Sequence, residues 1–459
     1  MLFPSITFLY FFLPVSLLLY AVMPEKGKNA VLFGTGILFY FWGEPLYVLL
    51  LLAMLLAGYA GGRILAAFTK CGRKMACKIL LGSLVAAVVF TLGFFKYGKI
   101  AAGLPLGISF YSFQVISYLV DVYRKEPEEK SFLDFGAYLT FFPQLIAGPI
   151  VRYGDMRPQL KQKKKPEHFW DGTFRFFCGL AKKLLIGDVL GEFVAELDAM
   201  SGKGTFSYWV LAAAYVLQLY YDFSGYSDMA IGMGQMFGFH LPENFRYPLT
   251  SKSITEFWRR WHMTLGSFLR DYLYIPLGGN RVGVLHWCFN VLLVWAVSGM
   301  WHGAGVNFLL WGVLFGVVLI LEKLVKTALS KQFGERFRPY SQSFLVTGLR
   351  HMYALVVLTL SFVLFRIEDM GELFSCLGAM FGQEGNATNA LFWYELKNYS
   401  VILLFACIGA TPLLKHLAEK WVPQAARKAL CQWGSAVLLV LVTAFLLGSQ
   451  AHPFLYFRF

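Results

Sequence analysis

Long apolar runs separated by short charged stretches dominate the pattern of the 459-residue chain. Several runs approach the roughly 20 residues that cross a bilayer core as a helix, whereas a membrane β-barrel would show short alternating segments. The pattern therefore predicts an all-α polytopic membrane protein. The spans, about eleven of them, are predicted at 4–22, 29–43, 46–62, 79–95, 104–122, 207–221, 284–300, 305–322, 351–366, 398–414 and 433–448.

Segment 132–150 is predicted to enter the membrane and return on the same side. It contains Pro143, Gly148 and Pro149, which interrupt a helix. Charged stretches flank it on both sides, and a single span would place them on opposite faces of the membrane. Irregular backbone at that depth needs protein or a cavity to satisfy its polar groups, so we expect a buried re-entrant element.

Charges also interrupt the apolar segment 171–198. Lys182, Lys183, Asp188 and Glu192 disfavour a lipid-facing span there. We expect an amphipathic helix on the inner face of the membrane. A further apolar piece, 226–241, has no assigned placement.

The charge balance fits membrane topology better than nucleic-acid binding. Hydrophobic residues make up 57% and charged residues 15% of the chain, and the net charge is +14; Lys and Arg retained in cytoplasmic loops explain the excess. No nucleic acid is expected as a partner. By the same rule both termini are extracytoplasmic, including the tail 449–459. The segments expected in the cytoplasm are 63–78, 247–281, 323–338 and 415–428.

Neither a metal site nor a second domain is predicted. The seven cysteines are scattered singly and form no CxxC or Cys/His cluster. We detect no internal repeat, so residues 1–459 are expected to form one membrane domain.

Residues 247–281 concentrate charge, aromatic rings and one histidine, His262. Arg259 and Arg260 could bind an anionic donor bidentately, or could simply enforce orientation. An interfacial belt of basic and aromatic residues explains the segment equally well.

A second histidine, His302, lies in SGMWHGAGVNF, where small residues let helices approach closely. An ionisable residue at membrane depth is a functional candidate, and a neutral imidazole could take a proton from a hydroxyl. The alternative is a histidine that is hydrogen-bonded within the bundle. Structural hydrogen bonding is favoured for Asp222, and an aromatic membrane anchor for Tyr456.

Five motifs together resemble the membrane-bound O-acyltransferase family, in particular its bacterial alginate O-acetylation branch. They cover 107–124, 141–153, 220–232, 243–281 and 300–312, and include the sequences RRWH and WHG.

This resemblance implies a ring of helices around a thin core with a through-tunnel, in the bacterial cytoplasmic (inner) membrane. It implies catalytic roles for His302 and His262, with the donor entering from the cytoplasm and the acceptor from outside. The tail PFLYFRF is similar to the aromatic motif of a family partner peptide, which implies an acyl-relay role for Tyr456. Donor binding or positioning is assigned to Arg259, Arg260, Trp261, Trp301 and Asp222.

The expected function is transfer of an acyl group, most simply acetyl, for O-acylation of an extracytoplasmic polysaccharide. The donor would be acetyl-CoA or another acyl thioester, with no bound cofactor. Besides membrane lipids, the expected partner is a secreted or membrane-anchored SGNH-type transferase. The alternative function is a transporter or flippase of a lipid-linked or anionic solute, with the basic segment as its gate.

Overall fold

The computed structural model describes residues 3–98, 103–124, 126–162, 167–333, 343–385, 388–448 and 454–455. Every regular element within these ranges is a helix, which confirms the predicted all-α class. Six helices in the described residues are long and apolar enough to cross a membrane. A seventh span results if Ala390–Asn398 and Ser400–Gly409, bent by 54°, count as one. The larger predicted count of spans is not confirmed, and the through-tunnel stays a prediction.

The helices group into two compact units. The first unit comprises the described residues of 1–181, 225–243 and 428–458, and the second comprises those of 182–224 and 244–427. Whether the chain works as one domain stays a prediction.

The first unit contains three of the six long apolar helices. These are Val48–Lys70, Lys74–Tyr97 and most of Gln424–Gly448. Its other helices are Phe8–Phe12, Leu13–Val22, Glu25–Gly27, Lys28–Gly43, Ile108–Tyr123, Phe132–Thr140, Phe142–Leu145, Tyr153–Lys161 and Phe169–Ala181.

Most of the segment predicted as re-entrant, from residue 135 onward, is buried in this first unit, and its path through the membrane stays a prediction. The helix ends at Thr140, a single turn follows at Phe142–Leu145, and the chain then continues without regular structure, buried as far as Val151. The Tyr138 hydroxyl donates to the Val151 carbonyl at 3.1 Å, and the Gln144 amide donates to the Tyr138 carbonyl at 2.9 Å. Buried side chains thus satisfy backbone carbonyls where helical bonding stops.

The second unit contains the other three long apolar helices, Val284–His302, Val306–Phe333 and Phe344–Arg366. Its shorter helices are Lys182–Asp188, Val189–Ala199, Pro248–Thr250, Ile254–Trp258, Met263–Leu269, Arg270–Tyr274, Met370–Met380, Ala390–Asn398, Ser400–Gly409 and Leu413–Trp421. The predicted cytoplasmic stretch 323–338 begins inside a helix, because Val306–Phe333 continues past residue 322.

The helices Val284–His302 and Val306–Phe333 form a closely packed hairpin. A Cβ atom on Gly299 would lie 2.2 Å from the Phe308 carbonyl oxygen, and one on Gly312 would lie 2.2 Å from that of Trp295. Only glycine allows this approach, which holds His302 at the end of the first helix.

Two sequence predictions are corrected around Asp222. Residues 207–221 and 226–241 are not separate pieces, because one helix runs from Thr205 to Met236 and contributes to both units. The amphipathic interpretation of 171–198 holds for Phe169–Ala181, whose buried residues Gly172, Phe176, Gly179 and Leu180 share one face. It is wrong for Lys183, which is only 2% exposed.

Candidate active site

A short stretch without regular secondary structure, 244–246, fixes the backbone around His262. The Met263 amide donates to the Asn244 carbonyl at 3.0 Å, and the Arg246 amide donates to the Arg260 carbonyl at 2.9 Å. Between these bonds His262 adopts φ of 43°, in the left-handed region. Among the described residues other than glycine, only His262 and Tyr247 have positive φ. Such backbone persists where the surroundings hold it, and it clusters at functional sites.

The His262 side chain is held by Asn244. The imidazole Nδ1 lies 3.0 Å from Asn244 Oδ1, and the Thr264 hydroxyl donates to the same oxygen at 2.9 Å. Phe223 packs edge-on against the ring at a centroid distance of 4.7 Å. His262 is 1% exposed, and this burial lowers its pKa to about 3. The imidazole is therefore neutral at physiological pH.

His302 lies in an enclosure of aromatic rings. The ring centroids of Trp301, Trp311 and Phe365 are 4.7, 5.0 and 5.4 Å from that of the imidazole. Trp301 also contacts His262, at 6.1 Å. Both candidate catalytic histidines therefore contact one indole, from different parts of the chain.

A cavity of about 1430 Å³ in the second unit has His262 in its wall. The indoles of Trp258 and Trp295 also line it. The charged residues of its lining are six cationic side chains, Lys252, Arg259, Arg270, Lys323, Lys326 and Arg350, and two carboxylates, Glu256 and Glu322. Its chemistry suits an anionic ligand with an apolar or aromatic part.

The two predicted donor-binding arginines have different surroundings. Arg259 is exposed, lines the cavity and has no carboxylate within ion-pair distance among the described residues. Arg260 is absent from the cavity lining in the described part of the chain; its guanidinium pairs with Glu256 at 2.5 Å and donates to the Thr250 hydroxyl at 3.0 Å. Of the two, Arg259 is placed to meet a ligand.

Trp261 lies in the protein interior. Its indole stacks on Phe257 at 5.3 Å and packs edge-on against Phe245 at 5.1 Å. In the described residues neither Trp261 nor Trp301 nor His302 lines the large cavity.

Asp222 belongs to a buried charge cluster. The Lys183 ammonium contacts the Asp188 carboxylate and lies 3.0 Å from the Asp222 carboxylate, and all three side chains are buried. Burial alone would lower the pKa of Lys183, but the two carboxylates outweigh it and raise that pKa above its usual value. Asp222 also directly precedes Phe223, which packs on His262.

Sequence reasoning missed Asn244 and Glu322. The Glu322 carboxylate accepts from the backbone amides of Ile254 and Thr255 at 2.7 and 2.9 Å, and so binds the first turn of the Ile254–Trp258 helix. Both residues bond to positions distant in sequence, so no local pattern marks them. In the described residues no group of three or more His, Cys, Asp or Glu side chains is placed to hold a metal ion.

The sequence model of MBOAT, the membrane-bound O-acyltransferase family, matches residues 108–364. The chain belongs to this family. It is a multi-pass membrane acyltransferase, and the matched region contains Asn244, His262 and His302. The enzyme prediction is therefore confirmed over the transporter alternative.

Several relatives are similar along most of their length. The "Probable alginate O-acetylase AlgI" of Pseudomonas syringae pv. tomato is 37% identical over 403 residues, which cover 83% of this chain and 75% of the relative. The "Peptidoglycan O-acetyltransferase" of Helicobacter pylori is 33% identical over 437 residues, covering 84% and 80%. The "Teichoic acid D-alanyltransferase" of Bacillus subtilis is 28% identical over 229 residues, covering 47% and 58%. The names of these relatives refer to alginate, peptidoglycan and teichoic acid as the acylated polymers.

Tyr456 lies outside the described residues, so its role stays a prediction. Nearby, Phe454 is buried in the first unit and its ring packs on Tyr226 at a centroid distance of 4.9 Å.

Proposed function

We propose that the protein transfers an acetyl group from a cytosolic thioester for O-acetylation of an extracytoplasmic polysaccharide. One observation carries the proposal. His262 lines the basic cavity, and the Trp301 indole contacts the imidazoles of both His262 and His302. A donor bound in the cavity would then contact His262 directly, and His302 would lie behind the shared Trp301 indole.

The basic cavity is the proposed donor site. Acetyl-CoA and carrier-bound acyl thioesters contain phosphate groups, which arginine and lysine bind through charge-assisted hydrogen bonds. Arg259 is the foremost phosphate contact in this proposal. Trp261, Trp301, Arg260 and Asp222 contribute by positioning, since aromatic packing and ion pairs occupy their side chains.

In the proposed reaction an acceptor hydroxyl attacks the thioester carbonyl carbon. His302 takes the hydroxyl proton as the C–O bond forms, and the C–S bond breaks when the tetrahedral intermediate collapses. The leaving thiolate receives the proton, which restores neutral His302. His262 positions the donor and assists this proton transfer.

Tyr456 is the proposed intermediate acceptor on the outer side. Its hydroxyl would receive the acetyl group as an ester and pass it to a secreted or membrane-anchored SGNH-type transferase, which would acylate the glycan. Both termini are extracytoplasmic in this proposal, and the membrane is the bacterial cytoplasmic (inner) membrane.

Labelled acetyl-CoA supplied to the cytoplasmic face of membrane vesicles tests this function. We expect covalent label on the glycan fraction, and label on the protein itself that is lost in Tyr456→Phe. Passage of a solute with no covalent labelling of glycan or protein would refute an acyltransferase role.

A further inference from the structure

Asn244 is the residue that holds His262 most directly. It is fully buried, and its side-chain oxygen lies within hydrogen-bond distance of three polar atoms: His262 Nδ1 at 3.0 Å, the Thr264 amide nitrogen at 3.3 Å and the Thr264 hydroxyl at 2.9 Å. Its own carbonyl accepts from the amide of Met263. One residue thus contacts both the ring and the backbone beside it.

These contacts identify the atom near the imidazole. The Thr264 backbone amide can only donate, so the Asn244 atom that it meets is the carbonyl oxygen and not the amide nitrogen. A carbonyl oxygen can only accept, so His262 Nδ1 must carry the proton. In a neutral imidazole the lone pair then belongs to Nε2.

We infer that Asn244 is a positioning residue for His262, which fixes the proton on Nδ1 and leaves Nε2 as the hydrogen-bond and proton acceptor. The same arrangement is common in nucleophilic catalysis, where a third side chain orients the histidine that accepts the proton. The inference rests on the proposed function for the role of His262, but the assigned tautomer does not depend on it.

The left-handed backbone at His262 supports this assignment. The bonds that Asn244 and Arg246 make to Met263 and Arg260 lie on either side of the strained residue. Asn244 therefore fixes the backbone position from which the imidazole projects, as well as the ring nitrogen that donates a hydrogen bond. A ring held in this way keeps one orientation while the substrate changes.

The tautomer can be measured directly. The full-length protein, labelled with ¹⁵N-histidine and held in detergent micelles, gives nitrogen shifts that separate protonated from unprotonated ring nitrogens. The His262 signals are those absent from His262→Gln. We expect a protonated Nδ1 and an unprotonated Nε2 in the wild type, and loss of that single state in Asn244→Ala. The opposite tautomer, or an unchanged spectrum in Asn244→Ala, would overturn the inference.

Kinetics give an independent readout with acetyl-CoA as the donor. Asn244→Ala should lower kcat by about 10- to 1000-fold with little change in the KM for acetyl-CoA, because a wrong tautomer weakens the assistance that His262 gives to proton transfer while the cationic side chains that bind the donor phosphates remain. Asn244→Asp keeps an acceptor oxygen and should recover activity to within about tenfold of wild type. Its carboxylate should also raise the pKa of the imidazole and move the acid limb of the pH profile upward.

Asn290→Ala is the matched control, since Asn290 is also fully buried in this unit but its amide donates to the Leu277 carbonyl. Equal loss of kcat in both alanine variants would show general structural damage and overturn the positioning role. The proposed function fails separately, if His262→Gln and His302→Ala both keep acyl transfer.

Discussion

At the scale of single residues, Arg259 and Arg260 are adjacent in sequence, but substituting each of them should have a different effect. Arg259→Gln removes a cation from the cavity wall and should raise the KM for acetyl-CoA about tenfold, with unfolding unchanged. Arg260→Gln breaks the pair with Glu256 and should lower the unfolding temperature without that change in KM. Kinetics and thermal unfolding on both variants check this. A KM effect confined to Arg260→Gln would contradict the donor assignment.

The burial of His262 predicts an acid-sensitive contribution to stability. Its folded pKa is about 3, whereas the unfolded side chain titrates near 6.5. Between these values the unfolded state binds the extra proton, so the free energy of unfolding falls as the pH falls and is fully retained above about 6.5. Chemical unfolding of the wild type and of His262→Gln at a series of pH values measures this contribution to the free energy of unfolding.

Between about pH 7.5 and about pH 5.5, the free energy of unfolding of the wild type should fall by about 1.4 kcal/mol more than that of His262→Gln. Equal losses in the two proteins would mean that the imidazole is not buried and neutral.

The two candidate histidines could be predicted from the sequence, but the residues that position the site around them could not. His262 and His302 lie in recognisable local motifs. Asn244 is 18 residues from His262, and Glu322 is 68 residues from Ile254, so their roles exist only once the chain has folded. Similarly, local charge does not distinguish Arg259 from Arg260; the position of Glu256 does.

At the scale of helices, the charge cluster around Lys183 fastens a short helix to the long helix that contains Asp222. Lys183→Met leaves two buried carboxylates without their cation and should cost about 3–5 kcal/mol of unfolding free energy. Lys415→Met is the control, because its exposed pair with Glu419 spans 3.9 Å and should be worth about 0–1 kcal/mol. Denaturant unfolding in micelles measures both, and similar losses would refute the special role of the buried cluster.

Helices were predicted well where the sequence is uniformly apolar and poorly where a buried charge is paired with a distant residue. Val284–His302 is uniformly apolar, and the prediction of 284–300 matched it closely. In Thr205–Met236 the charged Asp222 suggested an end to the helix, since a lone carboxylate is costly in an apolar setting. Lys183 removes that cost through a contact 39 positions away in sequence, which hydropathy cannot detect.

At the scale of the whole molecule, the proposed topology places the basic segment and the 367–389 connection on opposite faces. In a variant free of native cysteines, Arg281→Cys should react with a membrane-impermeant maleimide only after the cells are opened. Gln383→Cys should react in intact cells, because in the proposed topology the span Phe344–Arg366 follows a cytoplasmic stretch, 323–338. Both positions are exposed to solvent or lipid. Labelling of both from the same side would refute the topology.

In the proposed function, His302 is the base for acyl transfer in this membrane protein. The most direct test is the rate of acetyl transfer from labelled acetyl-CoA to glycan in membranes containing wild type, His302→Ala or His416→Ala. His416 is the control because its side chain is exposed on the Leu413–Trp421 helix. We expect the rate of transfer by His302→Ala to be about 100-fold or more below that of the wild type, although this variant inserts into the membrane and unfolds cooperatively as the wild type does. His416→Ala should transfer acetyl at the wild-type rate. Transfer at the wild-type rate by folded His302→Ala would contradict the account.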